Sequence, residues 1–309
     1  MTIRVVKPGL FTAVQDRGRY GYAHLGISPC GAADAMSLRI ANLLVGNDEY
    51  APALEMTLLG ATLEFDEATV IALSGASCEC KVGSNRIELN TAVATPAGSV
   101  LQCGSTLDGA RCYLAMQGGI DVPAVMGSAS TDIRGRFGGF EGRRLQAGDL
   151  LPVGRAQRIR QRQLREGVPD GMQGQGAIRV TSGAQRDWFS DDTYAKFLAG
   201  SYTVSEQSDR AGLRLKGAAV SARDSKQLLT DGIPLGAIQV PQDGQPIILF
   251  VDQQTTGGYP KIASVIAADI HRIGQLRPRD EIRFVEASIA EAIDALRAQE
   301  RWLQQIWQD

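Results

Sequence analysis

Histidine is almost absent from this chain of 309 residues: His24 and His271 are the only two. They form no H-x-x-x-H pair, and the five cysteines form no C-x-x-C pair, so the sequence presents no zinc site and no metal is expected on this chain. His24 has no partner that sequence can name and reads as a structural histidine. Cys30, Cys78, Cys80, Cys103 and Cys112 leave an odd cysteine over, which reads as reduced, mostly buried thiols. Cys30 precedes a glycine and a helix start, a setting that favours a thiolate, but with no histidine beside it in sequence it is not taken as a nucleophile. The phosphate loop G-x-x-x-x-G-K-[ST], the dinucleotide fingerprint G-x-G-x-x-G and the G-x-S-x-G elbow are all missing, and "GMQGQG" from Gly171 has the wrong spacing. No run of about 18 apolar residues is present, and "MTIRVVKPGLFTAV" lacks the apolar core of a signal peptide. A cytoplasmic protein with no membrane role is expected. With a formal charge of −2 there is no basic surface on which to expect nucleic acid.

What is present is a globular composition, 44% hydrophobic and 21% charged, with a length suited to two domains. Short apolar runs bounded by Gly, Pro, Asn and Asp recur: "TLEF", "VIALSG", "SVLQC", "RCYLAMQGG", "DLLPV", "IRV", "YTV", "IILFV" and "IRFV". They predict a mainly β protein, antiparallel sheet closed into barrels or sandwiches, with few helices. One helix is predicted from Asp34 as N-cap to Leu44 or Val45, stopped by Gly46. A second, C-terminal and amphipathic, starts from the capping box of Ser288 and Glu291. Its stripe of Ile289, Ile293, Leu296, Leu303 and Ile306 is assigned to packing on the barrel or on another subunit, and Trp302 and Trp307 suit either.

The chain also repeats itself. "DAMSLRI" from Asp34 and "DRAGLRL" from Asp209 both fit D-x-x-[SG]-L-R-[IL]. "LLGATLEF" then matches "PLGAIQV", and "VIALSGA" matches "PIILFVD", in the same order and at nearly the same offset. Order and spacing together predict two related domains, 1–154 and 178–286. An Arg-rich, then Gly- and Gln-rich linker over 155–177 separates them, and the helix over 287–309 follows.

Against this repeat, "DQQTTGGYPK", Asp252 to Lys261, is special to the second copy. Gly257 and Gly258 offer consecutive backbone N–H groups to an oxyanion, Lys261 a charge-assisted bond to it, and Asp252 a base or a group that polarises an amide. The same residues also read as a tight turn stiffened by Tyr259-Pro260, with a cis bond as one form of it. In "SEQSDRAGLRL", Arg210 suits a carboxylate or phosphate, and the alternative is an Asp turn with a surface arginine. "VQDRGRYGYAHLGISPCGAAD" from Val14 reads either as a binding loop or as the entry to the first helix.

These segments, with "GAADAMSLRIANLLVGN", "ALEMTLLGATLEF", "GGIDVPAVMGSASTDIRGRFGGFEGRRLQAGD" and "GIPLGAIQVPQDGQPIILFVDQQTTGGYPKIASVIAADI", resemble the allophanate hydrolase subunit 2 family, also called the KipI antagonist family or the C subunit of 5-oxoprolinase. The same stretch is similar to the carboxyltransferase domain of urea carboxylase. The resemblance covers about Lys7 to Phe284. It implies a pair of cyclophilin-like β-barrels and a KipI-like, allophanate hydrolase subunit 1 partner. With a third, LamB/YcsF-like subunit, such a complex opens 5-oxo-L-proline to L-glutamate and consumes ATP with magnesium. By resemblance, catalytic roles fall on Asp252 and Lys261. Contacts to a small amide substrate fall on Gln239, Gln254, Thr255, Thr256, Gly257, Gly258 and Tyr259, and on Ser208, Asp209 and Arg210. Two alternatives stand beside it: a carboxyltransferase component served by a separate biotin carrier, this chain having no "MKM"-like biotin-accepting segment, and a non-catalytic antagonist that binds a KipI-like kinase inhibitor.

Overall fold

A computed structural model describes residues 1–155, 163–164, 176–223, 228–305 and 307–308. The chain divides into two compact units, and neither is continuous in sequence: Met1–Tyr20, Cys30–Gly167 and Leu303–Asp309 form the first, Gly21–Pro29 and Val168–Trp302 the second. The short segment Gly21–Pro29, early in the chain, is therefore grouped with the second unit.

The first unit holds two antiparallel sheets. One has six strands in the order Leu150–Pro152, Thr2–Lys7, Thr62–Phe65, Val100–Thr106, Cys78–Val82 and Asn85–Ile87. The other has five: Phe11–Gln15, Ala53–Thr57, Arg111–Met116, Thr69–Gly75 and Ala92–Thr95. Alternation decides which faces pack inward: Leu63 and Phe65 are buried while Thr62 and Glu64 are half-exposed. Arg111–Met116, the central strand of its sheet, is buried at every position, as a strand covered on both faces must be. The core joins Ile3, Val5, Leu54, Leu63, Phe65, Leu73, Leu101 and Leu114. The helix Ala35–Leu44 is capped as predicted: the Asp34 side chain accepts the Ser37 N–H at 2.9 Å, and Gly46 beyond its end has a φ of +76°.

The second unit is a closed barrel of seven strands: Ile178–Ser182, Lys261–Val265, Ala237–Gln239, Ile247–Leu249, Gly212–Lys216, Ser201–Val204 and Glu281–Glu286. Closure comes from one parallel pairing, Ile178–Ser182 on Glu281–Glu286. The helix Asp191–Ala199 lays Phe197 on Phe284 at 4.8 Å between ring centroids. Buried Asp269 ties the strand bearing Arg179 to the short helix Ile270–Ile273, accepting from Arg179 Nη2 at 2.6 Å and from Arg272 Nη1 at 3.0 Å.

A mainly β fold with few helices and a C-terminal helix is thus what the chain adopts, with local differences from expectation. The two matching heptads take different structures, since Asp34–Ile40 opens a helix whereas Gly212–Lys216 is a barrel strand. The capping box forms, Ser288 N–H to Glu291 at 2.8 Å and Glu291 N–H to Ser288 at 3.2 Å, but the helix Ile289–Gln305 turns a different face to the barrel. Ala292 and Ala295 pack on Ile266, Ala268 and Ala287, and Gln299 donates to the Ala268 carbonyl, because small side chains let the helix approach closely. Ile289, Ile293 and Leu296 face outward, Ile289 at 70% exposure, while Leu303 is buried and Ile306 lies outside the described residues. Most of the linker also lies outside them, and its Gln163–Leu164 pairs with Trp307–Gln308. No described helix is long and apolar enough to cross a membrane.

Candidate functional site

The site is built where the strand Ile247–Leu249 runs out. Beyond its last residue the backbone still pairs, Phe250 N–H to the Ala211 carbonyl and Asp252 N–H to the Arg210 carbonyl, each at 2.9 Å. That register lays Asp252 against Arg210. The guanidinium then closes a two-bond fork on the carboxylate, Nε to Oδ2 at 2.8 Å and Nη2 to Oδ1 at 3.1 Å. Both residues are buried at 8% exposure, so each charge is the other's solvation. Two residues named separately in the sequence are therefore one unit. Both oxygens of Asp252 accept from Arg210, so the pair forms a fixed post.

Ser208 and Asp209 build the turn that presents Arg210. Asp209 Oδ1 accepts from Ala211 and Gly212 N–H at 2.8 and 3.1 Å, and Ser208 Oγ accepts from Arg214 N–H at 3.0 Å. These contacts shape the chain locally.

Lys261 opens the next barrel strand and is buried at 2% exposure. Its backbone is gripped on both sides by Gln185, whose Oε1 accepts the Lys261 N–H and whose N–H donates to the Lys261 carbonyl, each at 3.1 Å. The ammonium meets Asp231 Oδ2 at 2.8 Å. Asp231 is half-exposed, and the Lys261 ammonium, helped by the Gly232 N–H, holds its carboxyl below the usual carboxylate range. An ammonium carries three donors, so a buried lysine whose counter-ion reaches solvent can offer a further bond to an incoming oxygen.

Between these pairs, Asp231–Gly232 and Thr256–Gly257 form a two-residue ladder, extended by Ile233 N–H to the Thr255 carbonyl at 3.0 Å. Neither Gly257 nor Gly258 has a positive φ. The cradle of consecutive N–H groups expected from the sequence is therefore not formed, because such a nest needs a left-handed residue and Gly257 is extended in the ladder. Gly257 is required for closeness instead. A Cβ there would stand 2.7 Å from Ile233 Cδ1 and 3.1 Å from Gln239 Nε2. Gln239, 2% exposed, donates weakly to the Tyr259 carbonyl at 3.4 Å. Gln254, Thr256, Gly258 and Tyr259 are exposed, Thr255 is half-buried, and no cis peptide bond is found at Tyr259–Pro260.

Three participants went unread in the sequence: Asp231, Gln185 and Gln253. Gln253 is 3% exposed, donates to the Ile233 carbonyl at 2.9 Å, accepts a hydrogen bond from Ser28 Oγ on its own carbonyl, and has no partner for Oε1 among the described residues. Ser28 belongs to the glycine-rich stretch read as binding loop or helix entry. Earlier in that stretch, buried Asp16 is held in the first unit by Ser128 Oγ, Ser130 Oγ and Ala129 N–H, each at 2.6 Å. The signal for Asp231 was a "TDG" turn before "IPLG". Nothing distinguished Gln253 from Gln254.

The sequence profile of the family described as carboxyltransferase domain, subdomain A and B, matches residues 25–286. A protein from Escherichia coli (strain K12), named as the C subunit of 5-oxoprolinase, is 41% identical over 312 residues, spanning 98% of this chain and 97% of that protein. The Haemophilus influenzae protein of the same name is 36% identical over 95% of this chain and 94% of its own length. Urea amidolyase of Saccharomyces cerevisiae is 34% identical over 93% of this chain, a match that occupies 17% of that longer protein. In three dimensions the crystal structure of the Kluyveromyces lactis urea carboxylase superposes over 99% of this chain with a TM-score of 0.92 at 32% identity, using 29% of that chain. The fold, the matched span and these relatives make the chain a member of the carboxyltransferase domain family, subdomains A and B.

Proposed function

We propose that this chain is a subunit of an ATP-dependent 5-oxoprolinase complex that opens 5-oxo-L-proline to L-glutamate together with KipI-like and LamB/YcsF-like subunits. The observation that carries the reading is end-to-end similarity, at 41% identity, to a protein named as the C subunit of 5-oxoprolinase, whose length this chain matches almost completely. The geometry is consistent with an amide substrate. A lactam carbonyl placed at the solvent side of the Asp231–Lys261 pair meets the buried Lys261 ammonium, which polarises it as negative charge develops on oxygen. The Arg210–Asp252 post keeps the loop after Leu249 in register, and Gln239 and Gln253 lie beside it.

The site does not fit ATP. A triphosphate with magnesium calls for several uncommitted cations or a phosphate loop. The two buried cations here are each matched to a carboxylate. ATP is assigned to the partner subunits, and this chain to positioning and polarising the amide in the shared reaction. The second reading, a carboxyltransferase component with a separate biotin carrier, draws on the family profile and on the urea carboxylase neighbour.

The test is ADP and glutamate release by the purified chain with its two partners from the same source, with and without 5-oxoproline, alongside urea with a carboxylated biotin carrier. Release that needs all three proteins and 5-oxoproline supports the first reading, and carboxyl transfer to urea replaces it with the second. Lys261→Ala should lower turnover about 10²- to 10³-fold, the cost of removing one positioned donor, while thermal melting shows a folded chain. Unchanged turnover removes Lys261 from the mechanism.

A further inference from the structure

Four of the five cysteines, scattered in sequence, meet in the core of the first unit. Cys78, Cys80, Cys103 and Cys112 are 7%, 1%, 6% and 1% exposed, and all are free thiols. Cys78 and Cys80 share the strand Cys78–Val82, with their sulfurs 3.1 Å apart. Cys80 faces Cys103 across the ladder, and the Cys112 thiol bonds Cys78 from the central strand of the other sheet. The sulfurs thus form a row, Cys112, Cys78, Cys80, Cys103. They are not arranged as a cage: no three ligands among the described residues are placed to hold a metal ion.

The local backbone explains the close approach. Residues two apart on a strand point to one face, and a rise of about 3.3 Å per residue puts their Cα atoms about 6.6 Å apart, inside the span a disulfide bridges. The ladder slips between Cys78 and Cys80, where Gly104 and Ser105 together oppose Glu79, and a bulge of this kind bends and twists the pair further. Gly60 leaves the room Cys103 needs, since a Cβ there would stand 2.3 Å from the Cys103 Cβ.

We propose that Cys78 and Cys80 are a reversible dithiol–disulfide pair, oxidised by hydrogen peroxide. Thiol donors from Cys112 and then Cys80 favour the Cys78 thiolate, against burial, whereas contact with Cys103 and Cys78 together with burial keeps Cys80 protonated. The Cys78 thiolate attacks a peroxide oxygen: the S–O bond forms, the O–O bond breaks, and the departing hydroxide takes a proton to leave as water. Cys80 sulfur then attacks Cys78 sulfur. The S–S bond forms, the S–O bond breaks, and the Cys80 proton leaves with that hydroxide as a second water. Two thiols and one peroxide become one disulfide and two waters, and a low-molecular-weight thiol reverses the change. Closure shortens the sulfur separation by about 1 Å. A cleft of about 770 Å³ meets the row at Cys80 and Cys103, and its lining also includes Lys7, Lys81 and Arg86.

The test treats the reduced full chain with hydrogen peroxide, alkylates the remaining thiols and digests with trypsin. Cleavage after Lys81 leaves Cys78 and Cys80 in one peptide, while Arg86 and Arg111 place Cys103 and Cys112 in two others. The expected result is a Cys78/Cys80 peptide that has lost two hydrogens and takes up no alkylating agent, restored by dithiothreitol. A peptide cross-linked to Cys103 or Cys112, or four thiols that all remain alkylatable, overturns the pairing. Cys80→Ser should abolish the bond and leave a sulfenic acid at Cys78 that dimedone traps. Should that variant fail to fold, Cys103→Ala serves, because it should retain the wild-type bond, and loss of the bond there overturns the proposal.

Discussion

The heptads Asp34–Ile40 and Asp209–Leu215 share D-x-x-[SG]-L-R-[IL] and do different things with it. In both, the aspartate Oδ1 catches backbone N–H groups just downstream: Ser37 in the first, Ala211 and Gly212 in the second. The shared leucine is core in both, Leu38 at 0% and Leu213 at 3% exposure. What separates them lies outside the motif. "ANLLVG" continues the first with apolar residues at helical spacing, and the Asp34 N–H is moored to the Tyr113 hydroxyl, itself 2.6 Å from Glu55. The second has Gly212 where a helix would need a better former, then Leu213 and Leu215 buried with Arg214 and Lys216 exposed, a period of two. A capping aspartate starts a segment, and the continuation decides whether it winds or extends.

The sharpest break in this comparison is at the second position. Arg210 is buried on Asp252, whereas Ala35 is exposed. Arg210→Leu leaves a carboxylate buried without its counter-charge and should cost about 3–5 kcal/mol. Ala35→Ser should stay within about 0.5 kcal/mol. Denaturant unfolding of the two variants measures both, and comparable losses would show that Arg210 is not the post described here.

A smaller difference is expected at the first position. Asp34→Ala removes the cap from a helix that the first unit depends on and should cost about 1 kcal/mol. Asp209→Ala, at an exposed turn where the strand's ladder already fixes Gly212, should cost about half that. A larger loss at Asp209 than at Asp34 would mean that the turn sets the fate of the second heptad.

Much of the fold was legible because its causes are local. The Asp34 cap, the Gly46 stop, the Ser288–Glu291 box and the alternating strands are each written within a few residues. What escaped depends on register between segments far apart. Lys261 finds Asp231 only because two strands align, and four cysteines without useful spacing meet because one ladder sets Cys80 opposite Cys103 while the other sheet brings Cys112 into the same core. The face of the C-terminal helix that meets the barrel went unread for a related reason: bulk marks which residues are apolar, but the barrel accepts Ala292 and Ala295 because they are small. Gln253 and Gln254 are identical in chemistry, and only the turn in which Gln253 N–H reaches the Phe250 carbonyl at 2.9 Å buries the first and exposes the second.

The smallest effect probes why the second heptad extends at all, which depends on the neighbouring strand Ser201–Val204. That strand pairs Thr203 with Lys216 and Val204 with Leu215, and it is anchored by Tyr202, whose ring packs on Phe197 and Phe284. The Tyr202 hydroxyl is buried without a partner among the described residues, and burial pushes its pKa from 10.0 to about 12. The unfolded chain then releases its proton before the folded one does, so this contribution is whole below pH 10.0 and is lost as pH rises toward about 12. Tyr202→Phe removes an unsatisfied hydroxyl while keeping the ring. It should leave stability at neutral pH unchanged or raise it by up to about 1 kcal/mol, and it should flatten the alkaline loss. Thermal melts of both chains at neutral and alkaline pH decide it. If the variant loses stability at neutral pH, the hydroxyl has a bonding partner, and this strand holds the second heptad through more than aromatic packing and ladder bonds.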